Sequence, residues 1–215
     1  MIIAFEGLPG AGKTTSAELL AEKLALPSLV ECTRDHPFLE SVYRDEARHD
    51  LEVELAFLLL HASAWRQIEH GDSIVSDFTP VKDLLFARDT LTEPVDLELF
   101  ERAYERLNEG SGQADLVIYL RASPELSLQR VRKRYEHDRH RQFEKSMELE
   151  RLSRIDRQYE KHHDQLGSTV LDLDLSTLLD CEEPERRSKR RVADAALAIL
   201  APHLGQLRHH RRGLQ

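Results

Sequence analysis

Met1-Ile2-Ile3-Ala4-Phe5-Glu6-Gly7-Leu8-Pro9-Gly10-Ala11-Gly12-Lys13-Thr14-Thr15 decides the fold. A short apolar run ends at Phe5, and the pattern G-x-x-x-x-G-K-[ST] follows from Gly7 to Thr14. Glycines at this spacing allow a turn tight enough for successive backbone N–H groups to converge on phosphate oxygens. Lys13 then reaches the β- and γ-phosphates, and Thr14 offers a hydroxyl to Mg²⁺. Such a loop works between a strand and a helix. The apolar run supplies the strand, and the spacing predicts a helix over 16–25 whose positive end adds to the anion site. Gly7, Leu8, Pro9, Gly10, Ala11, Gly12, Lys13, Thr14 and Thr15 together are expected to hold ATP.

Beyond the loop, short apolar runs alternate with longer helical patterns, the signature of a parallel α/β sheet. Strands are predicted over 2–5, 28–31, 73–76, 116–120 and 169–173, and helices over 51–69, 79–91 and 95–108. A further helix opens at Ser123-Pro124-Glu125, with proline at its first position, and runs to about residue 135. A short helix is expected to start at Asp35-His36-Pro37-Phe38. The fold class is thus α/β, a five-stranded parallel sheet flanked by helices, in one domain over 1–205. The basic tail 206–215 is expected to be a solvated terminus.

Composition narrows the function. Charged residues make up 32% and apolar residues 40%, and no apolar run is long enough to cross a bilayer. The first apolar run lacks a preceding basic region, so it reads as a strand and not a signal peptide, and a cytoplasmic location is expected. A formal net charge of −9 argues against a nucleic-acid binder. Cys32 and Cys181 are too few and too far apart to frame a disulfide or metal scaffold. His137, His140 and His163 lack metal-ligand spacing and read as surface residues.

In an open parallel sheet, ligands sit beyond the carboxyl ends of the strands. Glu31 ends the second predicted strand, where a carboxylate could accept the proton of an attacking hydroxyl. Asp77 ends the third and is expected to help hold Mg²⁺ with Thr14; capping the next helix is its structural alternative. The arginine-dense stretch from Arg130 to Glu144 suits a lid, at about 134–145, folding over a triphosphate. The helix over 51–69 is apolar around most of its circumference. It must be covered on two sides, by the sheet and by a second subunit, which predicts a homodimer.

Taken in order, these motifs resemble the bacterial deoxynucleoside kinase family. Phe5-Glu6-Gly7 with the P-loop, Glu31, the run from Asp35 to Tyr43, the run from Val75 to Ala87, and Asp115-Leu116-Val117-Ile118-Tyr119-Leu120 carry the resemblance to about residue 173. It implies a P-loop nucleoside kinase fold and the transfer of the ATP γ-phosphate to the 5′-hydroxyl of a deoxynucleoside or similar small alcohol. Glu31 would be the base, acting with Lys13, Asp77 and Arg130. Tyr43 and Glu144 would hold the sugar 3′-hydroxyl, and Arg130 and Arg134, with Arg139 or Arg141, would cover the phosphates. Tyr43, Glu54, Phe57, His61, Phe78, Asp83 and Glu144 form the implied substrate-binding set.

Departures from the family pattern fall in the acceptor half. Phe78 stands where an arginine usually follows the strand-three acid, and Lys82, one turn on, is the expected substitute. Glu54 replaces a base-reading glutamine, and His61 replaces the arginine that Asp83 would partner. An ionised glutamate only accepts hydrogen bonds, so an altered base preference is expected. Two other functions fit the P-loop. A nucleoside monophosphate kinase resembling thymidylate kinase would need an arginine where Phe78 stands, and a regulatory nucleotide-binding module would not need the acids after the strands.

Overall fold

The computed structural model describes residues 1–31, 33, 36–38, 50–137, 147–178 and 185–204. Five parallel strands form one sheet: β1 (Ile2–Gly7), β2 (Ser28–Leu29), β3 (Ile74–Ser76), β4 (Leu116–Arg121) and β5 (Val170–Asp174), in the order β2-β3-β1-β4-β5. Central β1 pairs with β3 from Ile2↔Ile74 and with β4 from Ile3↔Leu116. Both β1 and β4 are buried on both faces, which is why they read as continuous apolar runs and not as alternating ones.

Helices cover both faces of the sheet: α1 (Lys13–Leu24), α2 (Asp50–Trp65), α3 (Val81–Thr90), α4 (Pro94–Asn108), α5 (Pro124–His137), α6 (Leu149–Lys161) and α7 (Glu185–Leu200). Successive strand residues point to opposite sides. Ile3, Phe5, Ile118 and Leu120 therefore pack on one layer with Leu20 of α1 and Val192, Ala196 and Leu200 of α7. Ala4, Val117 and Tyr119 pack on the other with Trp65, Phe78, Leu85, Ile155 and Tyr159. A third cluster, Leu58, Ala87, Leu91 and Phe100, joins α2, α3 and α4.

Among the boundaries that differ from the sequence expectation, two have visible reasons. Strand β2 stops at Leu29 and does not reach Glu31, because the Glu31 N–H donates to Asp77 Oδ1 at 2.8 Å and leaves the ladder. Helix α2 ends at Trp65 and not at residue 69, since the amides of Gln67 and Ile68 bond three residues back and tighten the chain into a turn. At the start of α5, Ser123 Oγ accepts the Leu126 N–H at 3.2 Å, as the cap pattern predicts. The expected helix start near residue 35 falls partly outside the described residues; Pro37 and Phe38 form a turn.

Topology fixes where a ligand goes. After β1 the chain builds one side of the sheet, then returns to build the other, so β1 and its neighbours flank a switch point. The loop after β1, Glu31 after β2 and Asp77 after β3 all lie at that carboxyl edge.

Candidate active site

The loop Gly7 to Thr14 wraps the start of α1. Gly10 has φ +84°, and a Cβ there would lie 2.7 Å from the Ser127 carbonyl oxygen of α5, so glycine is required for both conformation and space. Gly12, at φ 98°, is the N-cap of α1. Leu8 and Ala11 bury their side chains in the core and present only backbone to a ligand. Lys13 Nζ donates to the carbonyls of Gly7 at 2.7 Å and Leu8 at 3.1 Å. Burial and the nearby Lys82 ammonium pull its pKa down to about 8, against the attraction of Glu6, Glu31 and Asp77.

Beneath the loop, Glu6 is fully buried. It accepts from the Thr79 N–H at 2.6 Å and hydroxyl at 2.8 Å, and from the Tyr159 hydroxyl at 2.8 Å. Burial raises its pKa, while Lys13, Lys82 and these hydrogen bonds act against that rise. One carboxylate thus ties β1 to the entrance of α3 and to α6.

Asp77 joins the two halves of the site. Its Oδ2 accepts from the Thr14 hydroxyl at 2.5 Å, and its Oδ1 accepts the Glu31 N–H. Thr14 and Asp77 are hard oxygen donors at the loop that would hold phosphates, the donor chemistry that suits Mg²⁺ bound by one or two carboxylates plus substrate oxygens.

Glu31 faces a cavity of about 190 Å³ that Pro9, Gly10, Gly12, Lys13, Thr14 and Thr15 also line. Lys82 Nζ lies 2.5 Å from Glu31 Oε1, and His61 Nε2 lies 3.2 Å from the same oxygen. Burial works against the charge on Glu31, but Lys82 and His61 overcome it and hold the carboxyl well below its usual range. On its other side His61 Nδ1 is 2.6 Å from Asp83 Oδ1. Burial depresses the His61 pKa; Asp83 and Glu31 more than reverse this and lift it to about 9. At neutral pH His61 is therefore an imidazolium, donating to a carboxylate from each nitrogen. Lys82 keeps its charge too, since Glu31 outweighs the cost of burial.

Glu54, Phe57, His61 and Asp83 all line this cavity. Burial lifts Glu54 to about 7; the Thr90 hydroxyl and Arg151 act against the rise, and Asp83 and Asp50 reinforce it. The rings of Phe57 and His61 are 5.6 Å apart and tilted. Phe78, expected in the substrate-binding set, is placed elsewhere. It is 1% exposed in the core, where its ring stacks 4.4 Å behind His61 and lies 5.7 Å from Trp65. Its backbone explains the turn inward, because Ser76 Oγ both accepts the Phe78 N–H and donates to the Phe78 carbonyl. An aromatic face against an imidazolium is favourable, which gives Phe78 a role behind the cavity wall.

Arg130 of α5 donates to the Gly10 carbonyl at 3.3 Å and the Ala11 carbonyl at 3.1 Å, and Arg134, one turn on, lines the cavity. Tyr43, Glu144, Arg139 and Arg141, with most of the expected lid and the basic tail, lie outside the described residues.

The structure adds wall residues that the sequence did not single out: Asp50, Val53, Phe86, Thr90, Met147 and Arg151. Arg151 donates to Thr90 Oγ1 at 3.4 Å, and Arg154 binds Asp89 at 2.8 Å, fastening α6 to α3 along the far wall. The amphipathic spacing of Leu152, Ile155 and Tyr159, all fully buried, is the signal that places α6 there.

The family model described as deoxynucleoside kinase matches residues 3–197. A deoxyguanosine kinase of Bacillus subtilis is 30% identical over 181 residues, spanning 82% of this chain and 84% of that protein. A deoxyadenosine kinase of Dictyostelium discoideum is 30% identical over 167 residues, spanning 75% of this chain and 65% of that protein. In fold, the chain is similar to the solved deoxyadenosine kinase from M. mycoides with bound dATP. The TM-score is 0.77 at 22% identity, with 94% of this chain and 100% of that chain covered.

Proposed function

The chain belongs to the deoxynucleoside kinase family, phosphotransferases acting on a nucleoside hydroxyl, and from that premise we propose how its own residues divide the work. ATP binds along the loop from Gly7 to Thr15, and a deoxynucleoside enters the cavity that Glu31 faces. Glu31 accepts the proton of the 5′-hydroxyl as a bond forms between that oxygen and the γ-phosphorus and the bond from phosphorus to the ADP oxygen breaks. The observation that carries this reading is the placement of Glu31. It is ionised between Lys82 and His61, in one cavity with the P-loop, and its backbone is tied through Asp77 to Thr14.

Lys82 sits where it steadies the base in the absence of an arginine at position 78. Lys13, Arg130 and Arg134 stand close to the loop and neutralise phosphate charge as the phosphoryl group moves. Thr14 and Asp77 would hold Mg²⁺, which when bound supplies further neutralisation of the phosphate oxygens. A monophosphate kinase resembling thymidylate kinase would have an arginine after Asp77, and the buried Phe78 stands there instead. The enzyme would work in the cytoplasm on the ATP pool there.

We also propose a homodimer. Leu59 of α2 is 56% exposed, and Val95 and Leu99, one turn apart on the adjoining α4, are 70% and 53% exposed. Covering these exposed apolar side chains with a second copy predicts a sedimenting mass twice the chain's 24.8 kDa.

ADP release from ATP, measured with deoxynucleosides, their monophosphates and water alone, tests the reaction. Stimulation by deoxynucleosides is expected, and stimulation by monophosphates alone would overturn the proposal. In Glu31→Gln, turnover should drop about 10²- to 10⁴-fold with ATP affinity intact. Unchanged turnover would remove Glu31 from the role of base.

A further inference from the structure

Glu31 lies two residues past the end of β2, and its backbone N–H is held by Asp77 Oδ1 at 2.8 Å. A glutamate side chain is long and rich in rotamers, so a backbone anchor alone leaves the carboxylate free to swing. A base must meet its hydroxyl within hydrogen-bond reach, and misplacement by about 1 Å costs up to ~10²-fold in rate. Groups on the helices around the cavity have to aim this carboxylate.

Among the described residues, both donors to the Glu31 side chain reach the same oxygen. Lys82 Nζ lies 2.5 Å and His61 Nε2 lies 3.2 Å from Oε1, which leaves Oε2 to the cavity. The two donors differ in kind. An ammonium is a point charge on a flexible four-carbon stem and attracts without fixing an angle. An imidazole donates along directions set by its ring, and this ring is itself immobilised. His61 is 3% exposed, stacks 4.4 Å from the Phe78 ring, and is held at Nδ1 by Asp83 Oδ1 at 2.6 Å. Asp83 is equally buried and follows Lys82 directly on α3, so one helix supplies both the second cation and the group that orients the imidazole.

The same geometry takes His61 away from the nucleobase. An imidazole has at most two N–H groups. One faces Asp83 and the other faces Glu31, so neither is left to donate to a ligand. The ring lines the cavity as a surface, while its polar atoms serve the two carboxylates.

Building on the kinase reading above, we propose that Asp83 and His61 are a positioning pair for the catalytic base: Asp83 fixes the His61 ring, and His61, with Lys82, holds Glu31 Oε1 so that Oε2 meets the acceptor hydroxyl. The proton passes from that hydroxyl to Oε2 while the oxygen–phosphorus bond forms and the ADP oxygen departs with its electron pair. His61 keeps both of its own protons throughout. The pair therefore acts on the transfer step and not on the choice of nucleoside.

His61→Asn in the full chain separates the two contacts. Its amide nitrogen falls where Nδ1 stands and keeps the partner of Asp83, but it is too short to reach Glu31. With ATP and either deoxyguanosine or deoxyadenosine, kcat should fall about 10- to 100-fold. The KM values for ATP and nucleoside should stay within about 2-fold, and the ratio of kcat/KM for the two nucleosides should not move. His61→Gln, whose amide nitrogen falls where Nε2 stands, should recover part of the lost kcat. Asp83→Asn should lower kcat by itself yet add less than about 2-fold to His61→Asn, because Asp83 acts through the ring.

Full kcat in His61→Asn, or a changed nucleoside ratio with kcat intact, would overturn the inference. Losses from Asp83→Asn and His61→Asn that multiply would overturn it equally. A further measurement needs no variant to fold. In the wild type at neutral pH, saturated with 2′,5′-dideoxyadenosine, which carries a base but no attacking hydroxyl, nitrogen NMR should show a proton on both His61 ring nitrogens. A ring nitrogen without its proton would sink the inference, while turnover of deoxynucleosides would leave the kinase reading standing. Turnover of neither nucleoside by the wild type would remove the kinase reading, and this inference with it.

Discussion

Replacing Asp83 with asparagine takes away the carboxylate against the His61 Nδ1, 2.6 Å distant, and leaves a side chain of nearly the same shape. In the wild type, burial alone would push His61 below the ordinary histidine value, but Asp83 and Glu31 carry it to about 9. Against an unfolded value near 6.5, a gap of about 2.5 units at about 1.4 kcal/mol each amounts to roughly 3 kcal/mol of folding stability carried by the charged imidazolium. Its sign follows from the raised pKa. The contribution is fully present below pH ~6.5 and is lost as pH rises through about 9.

In Asp83→Asn only Glu31 still acts against burial, and the His61 pKa falls. Urea unfolding of both proteins in steps from pH ~6 to ~10 should show the stability difference largest at the acid end, near 3 kcal/mol, and shrinking towards pH ~9.5. Lys13, which titrates near 8, is common to both proteins and cancels in the difference. Imidazole resonances read the same event directly, with His61 titrating near 9 in the wild type and lower in the variant. A difference independent of pH, or a wild-type His61 that titrates near 6.5, would refute the reasoning.

Lys82→Met keeps the hydrocarbon stem and removes the cation 2.5 Å from Glu31, so the Glu31 pKa should rise. The acid limb of the kcat/KM profile should move up by the same amount with the KM for ATP unchanged; an unmoved limb would show that Glu31 is not the group that titrates in the rate. Phe78→Ala should cost ~3–5 kcal/mol by denaturant unfolding, as a truncation in a packed core does, without raising the nucleoside KM of the folded fraction. A raised KM at full stability would return Phe78 to the substrate-binding set.

Much of this arrangement is legible in the chain because it is local. The P-loop needs only its glycines, Lys13 and Thr14 in a row, and the acids at 31 and 77 announce themselves by closing apolar runs. What resists reading is whatever depends on helices crossing. His61 and Asp83 meet from two helices 22 positions apart, a pairing reached only through the family resemblance, and Tyr159 meets Glu6 across 153 positions, which the sequence did not suggest. Neither pairing leaves a trace in local periodicity. Phe78 shows the opposite failure: its place in the motif order suggests a ligand contact, yet a bulky apolar ring after a buried strand is drawn into the core. Strand β2 falls short for a similar reason, because a side chain from β3 takes the amide that the ladder would have used.

The shared carboxylate of Asp77 has an engineering corollary. Asp77 and Glu6 belong to the sheet and its carboxyl edge, and they fasten Thr14, Glu31, Thr79 and Tyr159, whereas Glu54 and Asp83 are side chains of the overlying helices α2 and α3. Substitutions at the helical wall of the cavity can therefore be made while the groups that hold the P-loop and the Glu31 backbone in place stay untouched.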